Sequence, residues 1–200
     1  MEKLAFKTAV LDAIKHRRST RAFLKDPVPE EIIKEIVEAG RYSPTANNSQ
    51  ATHFYVITSE EKRAELRAAV TDALLNTVEK EGMSASFIGL IKRAKEGEVD
   101  VTYGAPALIV TTGRKSSQNA IADCSCALMN MMLAASVNDI ANVWINQFFS
   151  LREAPQVKDF FASLGVSEEE AICGALSLGY SETIATEPLP RTGFPVTFIR

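Results

Sequence analysis

The sequence predicts a single α+β or α/β domain, and two observations support this prediction. Four short β-prone runs are spaced along the chain, and most of the segments between them have the apolar spacing or the composition of helices. The 200 residues, 46% hydrophobic and 24% charged, have the balance of a globular protein with a sizeable core. Helices outweigh strands, and the sequence contains no internal repeat.

Two helices are predicted before the first strand. The first spans residues 7–16, where apolar residues recur at helical spacing. The second starts at Pro29, because proline suits a first helical position, and it ends at Gly40. Its acidic first turn complements the positive end of the helix dipole. The apolar residues on its buried face are Ile32, Ile33, Ile36 and Val37.

A polar loop over residues 42–52 leads into a buried strand at 53–58. A long Ala-rich and Leu-rich helix is predicted from Ser59 to about Lys80, followed by a second helix over about 84–95. The loop is therefore held by regular elements on both sides.

Three strands and two helices are predicted in the second half of the chain. The strands are residues 107–112, 142–148 and 171–180, and the helices are residues 119–136 and 153–163. The helix over 119–136 is apolar on nearly all sides, which places it in the interior or at a subunit interface.

The C-terminal segment from residue 182 is rich in proline and ends in a β-prone run at residues 196–199. Nothing nearby in the sequence would cover this run. We therefore expect it to pair with another surface, such as a second subunit.

Composition argues against several classes of protein. The net charge of −3 and the pI of about 5.5 have the wrong sign for a nucleic-acid-binding protein. Residues 1–10 do not form the apolar core of a signal peptide, and the apolar stretch at 127–137 is too short to span a bilayer. We expect a cytoplasmic protein with no nucleic-acid or membrane partner. Its three cysteines, Cys124, Cys126 and Cys173, are expected to be buried thiols rather than a disulfide framework.

Common catalytic motifs are missing from the sequence. It contains no Rossmann glycine fingerprint, no P-loop and no nucleophile elbow. Its two histidines, His16 and His53, lack partners at ligand spacing, so no zinc site or Ser-His triad is predicted. We expect His53 to be an ordinary core or edge residue. If the protein is an enzyme, a bound organic cofactor must supply the chemistry.

A basic cluster follows the first helix at Arg17, Arg18 and Arg21, with Ser19 and Thr20 between them. Guanidinium groups bind phosphate oxygens two at a time, and hydroxyl groups can complete the shell. The alternative is a solvated basic turn that complements the negative end of the helix dipole.

Four motifs occur together in a specific order across residues 10–191. They are Arg17–Arg21, Ser43–Gln50, Gly104–Val110, and Gly179–Tyr180 followed by Pro190–Arg191. In these motifs the chain resembles the FMN-dependent nitroreductase family.

The resemblance implies one nitroreductase-like domain over residues 1–200. Its fold would be an α+β sandwich with a central mixed, mainly antiparallel sheet flanked by helices, and a C-terminal tail reaching the partner subunit. It also implies a homodimer with one non-covalently bound FMN in each of two interface sites. NADH or NADPH would reduce the flavin and leave, and flavin N5 would then pass the hydride to a nitroaromatic, quinone or similar conjugated acceptor in a ping-pong cycle.

The resemblance also implies roles for individual residues. Arg17, Arg18 and Ser19 would hold the FMN phosphate and ribityl chain, and Arg21 would approach the N1 and C2 carbonyl edge of the ring, where reduced flavin accumulates negative charge. The other implied FMN contacts are Ser43, Pro44, Asn48 and Gln50 in the loop, Asn76 on the middle helix, Asn146 and Gln147 near flavin N5, and Arg191 at the phosphate.

The loop allows a second interpretation. Asn47 and Asn48 would then only stabilise the loop by hydrogen bonding to its own backbone.

The chain departs from the family pattern at four places, three of which are substitutions. Ala51–Thr52 replaces the usual Pro-Trp, Asn138–Asp139 falls in a turn that is usually rich in glycine, and Asn146–Gln147 stands where glycine is common near N5. A second basic residue close to Arg191 is also missing. These differences predict a flavin pocket that is reshaped on its substrate side.

Other functions remain open on the sequence. The same scaffold supports reductive dehalogenation or flavin destruction. A non-enzymatic flavin-binding, nucleotide-binding or regulatory protein could use the same arginines, and a structural helical domain could carry an incidental basic turn.

Overall fold

The structure is a computed structural model that describes residues 2–97, 99–183 and 187–200, and it confirms the α+β class. The helices are α1 (Glu2–His16), α2 (Glu30–Arg41), α3 (Glu60–Leu75), α4 (Ala85–Lys95), α5 (Ala120–Val137), α6 (Gln147–Leu151) and α7 (Pro155–Ser163). The strands are β1 (His53–Ile57), β2 (Ala107–Arg114), β3 (Ala141–Ile145) and β4 (Glu170–Gly179).

The four strands form one sheet in the order β1-β2-β4-β3, and all three neighbouring pairs are antiparallel. The parallel component expected of a mixed sheet is limited, in the described residues, to an isolated bridge between Ser19 and Asn142. Strands β1 and β3 are therefore the two edges of the sheet, and the segment after α1 lies against β3.

Helices cover both faces of the sheet, because each face carries its own apolar cluster. On one face α3, α4, α6 and α7 pack over the sheet, with Phe148 and Phe161 fully buried. On the other face α2 and α5 pack over it, with Ile36, Leu128 and Met131 fully buried.

Helix α5 is longer than the apolar stretch at 127–137 that the sequence analysis judged too short to span a bilayer. With 18 residues, the helix has the length and the apolar composition that would allow it to cross a membrane. In the structure six of them are buried between α2 and the sheet. Core helices have the same composition, and α5 packs as one.

Helix α3 ends at Leu75, so the predicted end near Lys80 is wrong. The cause is Asn76, which caps the helix. Its backbone N–H bonds back to Asp72 and Leu74, and its Nδ2 donates to the Asp72 carbonyl at 2.9 Å and to Asp72 Oδ1 at 3.0 Å. A side chain that satisfies the last turn in this way favours termination.

The predicted strand over 142–148 is also wrong at its C-terminal end. Strand β3 stops at Ile145, and α6 begins at Gln147. A short apolar run does not distinguish a strand from a buried helix, since both bury every residue. Phe148 reaches the core from the helix instead.

Two smaller expectations also need correction. Helix α1 begins at Glu2 rather than residue 7. Cys124 and Cys173 are buried, as expected, but Cys126 is exposed.

Gly179 is a point of close approach between β4 and the segment that carries the basic cluster. A Cβ at this position would stand 2.6 Å from Pro106 Cδ and 3.0 Å from Phe23 Cδ1. We expect Gly179→Ala to lower the free energy of unfolding by roughly 1–3 kcal/mol, because the rigid proline ring leaves no room.

Urea denaturation measures this effect, and Gly89→Ala in α4 is the matched control. A Cβ at Gly89 meets nothing within 4 Å, so this change is expected to stabilise the protein by roughly 0.5–1 kcal/mol. Equal stability of the two variants would contradict the prediction.

Candidate functional site

The basic cluster is held against one corner of the sheet. Backbone N–H groups fix the segment, as Thr20 donates to the Asn142 carbonyl at 2.9 Å and Leu24 donates to the Tyr180 carbonyl at 2.8 Å. These bonds tie it to the start of β3 and the end of β4. The arginines are therefore carried on a firmly anchored segment.

The arginines of this corner have donors without acceptors. Arg17 Nη1 and Arg18 Nε are buried and have no hydrogen-bond partner. The other Arg18 donors bond to carbonyls: Nη1 to Lys15 and Arg17, and Nη2 to Glu187 at 2.8 Å. Buried donors without partners are costly, and a bound anion would satisfy them.

The charge around Arg17 is also uncompensated. Burial and the neighbouring positive charges of Arg18 and Arg191 lower the pKa of Arg17. Arg191 is thus brought to Arg17 although 174 positions separate them (191 − 17). Within the part of the chain that the structure describes, no carboxylate forms an ion pair with Arg17, Arg18, Arg21 or Arg191. The arrangement suits a multiply charged anion such as phosphate.

Two cavities flank the cluster. One of about 310 Å³ is lined by Arg18, Ser19, Thr20 and Arg21, among others. The second, of about 250 Å³, lies between Arg17 and Arg18 on one side and the start of β3 on the other. Four of the predicted contacts, Arg17, Arg18, Ser19 and Arg21, thus surround one corner of the molecule.

Asn142 in β3 lines the second cavity, and the sequence prediction missed it. The residue is 2% exposed, and its Oδ1 has no partner although its Nδ2 donates to Met132, Ser136 and Ile140. The signal that could have revealed it was a polar amide between apolar neighbours in a predicted strand. Such a residue needs a buried partner.

The polar loop before β1 has an unusual backbone. Asn47, Asn48 and Gln50 all have positive φ, at 54°, 51° and 48°. This conformation is uncommon for residues other than glycine, and such strain clusters at functional sites. Three of the five non-glycine residues with positive φ in the described chain lie in this loop.

The loop's hydrogen bonds keep this shape. The Gln50 N–H donates to Thr45 Oγ1 at 3.0 Å, Gln50 Nε2 donates to Asn48 Oδ1 at 3.3 Å, and the Ala46 N–H donates to Asp123 Oδ1 at 3.1 Å. These bonds come from backbone N–H groups and from Gln50. The asparagine side chains do not provide the backbone contacts that the alternative interpretation of the loop requires, as far as the described residues show.

A cavity of about 510 Å³ opens beside the loop and contains three of its predicted residues, Ser43, Asn48 and Gln50. Thr52, one of the two residues that replace the usual Pro-Trp, also lines it. Pro44 is exposed next to it.

The loop and the basic cluster lie at opposite corners of one chain. The loop enters β1 at one edge and one end of the sheet, whereas the cluster touches β3 at the other edge and the other end. Strand spacing and rise place these corners roughly 20 Å apart. Helix α5 gives the same distance. Asp123 accepts a hydrogen bond from the loop, and Ser136 lines the cavity beside Arg17. These two residues are 13 positions apart on the helix (136 − 123), which corresponds to about 20 Å.

The other predicted residues are dispersed. Asn146 and Gln147 follow β3, about 14 Å along the strand from the cluster. Gln147 Oε1 is buried without a partner, while Asn146 is exposed. Asn76 lines none of the cavities described above, and its amide is engaged in the α3 cap. Its implied contact with FMN remains a prediction.

The turn without glycine is accommodated by Asp139. This residue adopts φ of 56° directly after α5, where glycine commonly stands. Asn138 caps the helix by donating from Nδ2 to the Ala134 carbonyl at 3.0 Å. The chain therefore forms this turn with Asn138 and Asp139 instead of glycine.

His53 lies at the edge of the sheet. Its Nδ1 is 3.2 Å from Glu170 Oε1, and the Tyr55 hydroxyl donates to Glu170 Oε2 at 2.9 Å. Burial and the Glu170 carboxylate raise the pKa of Tyr55 to about 12. This group joins β1 to β4.

Sequence and structure comparisons identify the relatives of the chain. The model of the nitroreductase family matches residues 14–180. A nitrobenzene nitroreductase from Ectopseudomonas oleovorans is 25% identical, with 88% of each chain covered. A 4-nitrobenzoate reductase from Pseudomonas putida is 28% identical, with 92% of this chain and 90% of the relative covered.

Solved structures agree with this result. A nitroreductase with bound FMN from Bacteroides fragilis superposes with a TM-score of 0.85 at 30% identity, covering 96% of this chain and 98% of the other. A second, from Desulfitobacterium hafniense and also with bound FMN, gives a TM-score of 0.78 at 25% identity over 96% and 98% of the two chains. The family match covers most of the chain, including the basic cluster at Arg17–Arg21 and the polar loop before β1, and the chain therefore belongs to the nitroreductase family.

Proposed function

We propose that the protein is an FMN-dependent oxidoreductase that takes a hydride from NADH or NADPH and reduces small conjugated acceptors, such as nitroaromatics or quinones, by a ping-pong mechanism. One observation carries the proposal. Arg17, Arg18 and Arg191 converge without an acidic partner in the described residues, and two of their donors are buried and unsatisfied.

The residues present fit FMN. Arg17, Arg18 and Arg191 offer the charge that a phosphate dianion requires, and Ser19 lies beside them for the ribityl chain. Arg21 is exposed on the same segment, so its guanidinium is free to approach the N1 and C2 edge of the ring. Asn146 and Gln147 lie further along the same edge of the sheet, where β3 ends, and would hold the ring near N5.

Bound FMN would supply the redox chemistry by accepting a hydride at N5 and donating it to the acceptor. The protein then has to bind, orient and exclude water. Arg21 stabilises negative charge at the N1 edge, and the amides near β3 position the ring. No nucleophile is needed, in agreement with the lack of a catalytic dyad in the sequence.

A second subunit completes the site in this proposal. One chain holds Arg17 and Asn48 at corners roughly 20 Å apart, so the loop carrying Ser43, Pro44, Asn48 and Gln50 would contact the FMN bound by the partner. The homodimer would also cover apolar side chains that are exposed in one chain. They are Phe6, Val10, Leu11 and Ile14 of α1, and Phe194, Val196, Phe198 and Ile199 of the tail.

The tail is the second contact between subunits. Residues 187–200 are exposed along their whole length, and Arg18 Nη2 holds their start through the Glu187 carbonyl. We propose that the tail reaches the partner subunit while Arg191 stays at the phosphate. The whole chain, residues 1–200, would act as one FMN-binding domain in the cytoplasm.

Anaerobic reduction tests the proposal. Purified protein should be yellow, release FMN on denaturation and bleach when NADH or NADPH is added. A panel of nitroaromatics and quinones should restore the colour, double-reciprocal plots should give parallel lines, and sedimentation should give a dimer. Colourless protein that takes up no FMN would overturn the proposal, and yellow protein that no nicotinamide reduces would indicate a flavin-binding or regulatory protein.

A further inference from the structure

The cavity beside the polar loop contains one ion pair among neutral residues. Arg41 Nη1 lies 2.6 Å from Glu38 Oε2, and both residues line the cavity of about 510 Å³. The remaining side chains of the lining are hydroxyls, amides and aromatic rings, together with Gly40. The charge of this cavity is therefore set by a single cation and a single anion.

The dipole of helix α2 does not favour a carboxylate at the position of Glu38. Both residues lie in the last turn of α2, which ends at Arg41. A cation is favourable at this negative end of the helix dipole, whereas a carboxylate is unfavourable there. The contact that compensates Glu38 is the one with Arg41, three residues further along the same face.

We infer that the acceptor binds in this cavity and that Glu38 is a specificity-determining residue, which neutralises Arg41 and so favours uncharged aromatics over carboxylated ones. The inference rests on the proposed function, in which this loop would contact the FMN bound by the partner subunit. A carboxylated acceptor would meet a cation that is already paired and an anion that repels it. A neutral acceptor is not repelled by Glu38 and needs no unpaired cation. It would form hydrogen bonds with the hydroxyl and amide groups of Ser43, Asn48 and Gln50.

The test compares 4-nitrobenzoate with 4-nitrobenzamide, since the two differ in charge but little in shape. The measured quantity is the ratio of kcat/KM for the benzoate to kcat/KM for the benzamide in the FMN-loaded protein. Glu38→Gln is expected to raise this ratio about fivefold, the size of one charge interaction at about 4 Å in a water-like medium. Arg41→Gln is expected to lower it by a similar factor, because Glu38 is then left without its partner.

A binding measurement separates selection from turnover. The dissociation constant of 4-nitrobenzoate for the oxidised FMN-loaded protein should fall in Glu38→Gln and rise in Arg41→Gln, as followed by the flavin absorbance. Glu31→Gln is the matched control. It makes the same charge change on the same helix, about 10 Å from Glu38 and outside the cavity lining, and should leave both quantities unchanged.

The opposite signs of the two variants distinguish a charge effect from a structural one. A ratio that is unchanged in Glu38→Gln, or that moves in the same direction in both variants, would overturn the inference while leaving the proposed function intact. Protein that binds no FMN, or that no nicotinamide reduces, would overturn the proposed function and this inference with it.

Discussion

Replacing Arg17 with glutamine is expected to weaken FMN binding about 100-fold. The guanidinium is partly buried, has a donor without a partner at Nη1, and stands beside Arg18 and Arg191. Charge-assisted hydrogen bonds contribute about 1.5–3 kcal/mol each, and a factor of 100 corresponds to about 2.7 kcal/mol. The measurement is the quenching of flavin fluorescence when FMN is titrated into the FMN-free protein.

Riboflavin provides the internal control for this experiment, because it lacks the phosphate. Its affinity should change less than threefold in Arg17→Gln if the residue binds phosphate and not the ring. Arg93→Gln, an exposed position at the end of α4, controls for the change in net charge and should leave FMN binding unaltered. Equal losses for FMN and riboflavin would show that Arg17 shapes the site without binding the phosphate.

Replacing Phe148 with alanine is expected to lower the free energy of unfolding by roughly 3–5 kcal/mol. The side chain is fully buried, and its ring meets the edge of Phe161 with centroids 6.1 Å apart at 84°. Truncation removes this contact and leaves a cavity under α6 that neighbouring rings only partly fill. Urea denaturation followed by circular dichroism measures the loss.

The neighbouring phenylalanine is the matched control. Phe149 is half-buried and packs under Arg152, whose Cζ is 3.8 Å from the ring centroid. Its replacement by alanine should cost about 1 kcal/mol. If the two variants lost equal stability, Phe148 would not be the anchor of α6. Because α6 begins at Gln147, the Phe148 variant should also weaken FMN binding under native conditions.

Most elements of the fold were predicted from local patterns, and the errors have local physical causes. The prediction of helix α2 is confirmed, because its apolar spacing, its proline and its acidic first turn all favour the same helix. The composition predicts a third helix that is longer than α3, because composition does not show that Asn76 caps the helix. The run at 142–148 predicts one strand, because a fully buried strand and a buried helix have the same apolar sequence.

Some residues of the candidate site were predicted from local patterns, and others were found only in the structure. The cluster at Arg17–Arg21 and the loop at Ser43–Gln50 were recognised because each is contiguous, so composition and order were enough. The sequence prediction does not include Asn142, nor Glu38 and Arg41, whose proposed role depends on what lies beside them. A helical ion pair carries no signal in one sequence, and the sign of Asn142 was a polar amide between apolar neighbours in a predicted strand.

The sequence alone predicted a single domain of the α+β or α/β class, the basic cluster at Arg17–Arg21, and the resemblance that the family match confirmed. The tertiary structure decided that Arg191 approaches Arg17, that Asn142 closes the adjacent cavity, and that the loop lies at the far corner of the same sheet. The reason is physical. Helix periodicity and turn chemistry act between residues close in the chain, whereas strand order and register set the distances between segments more than a hundred residues apart.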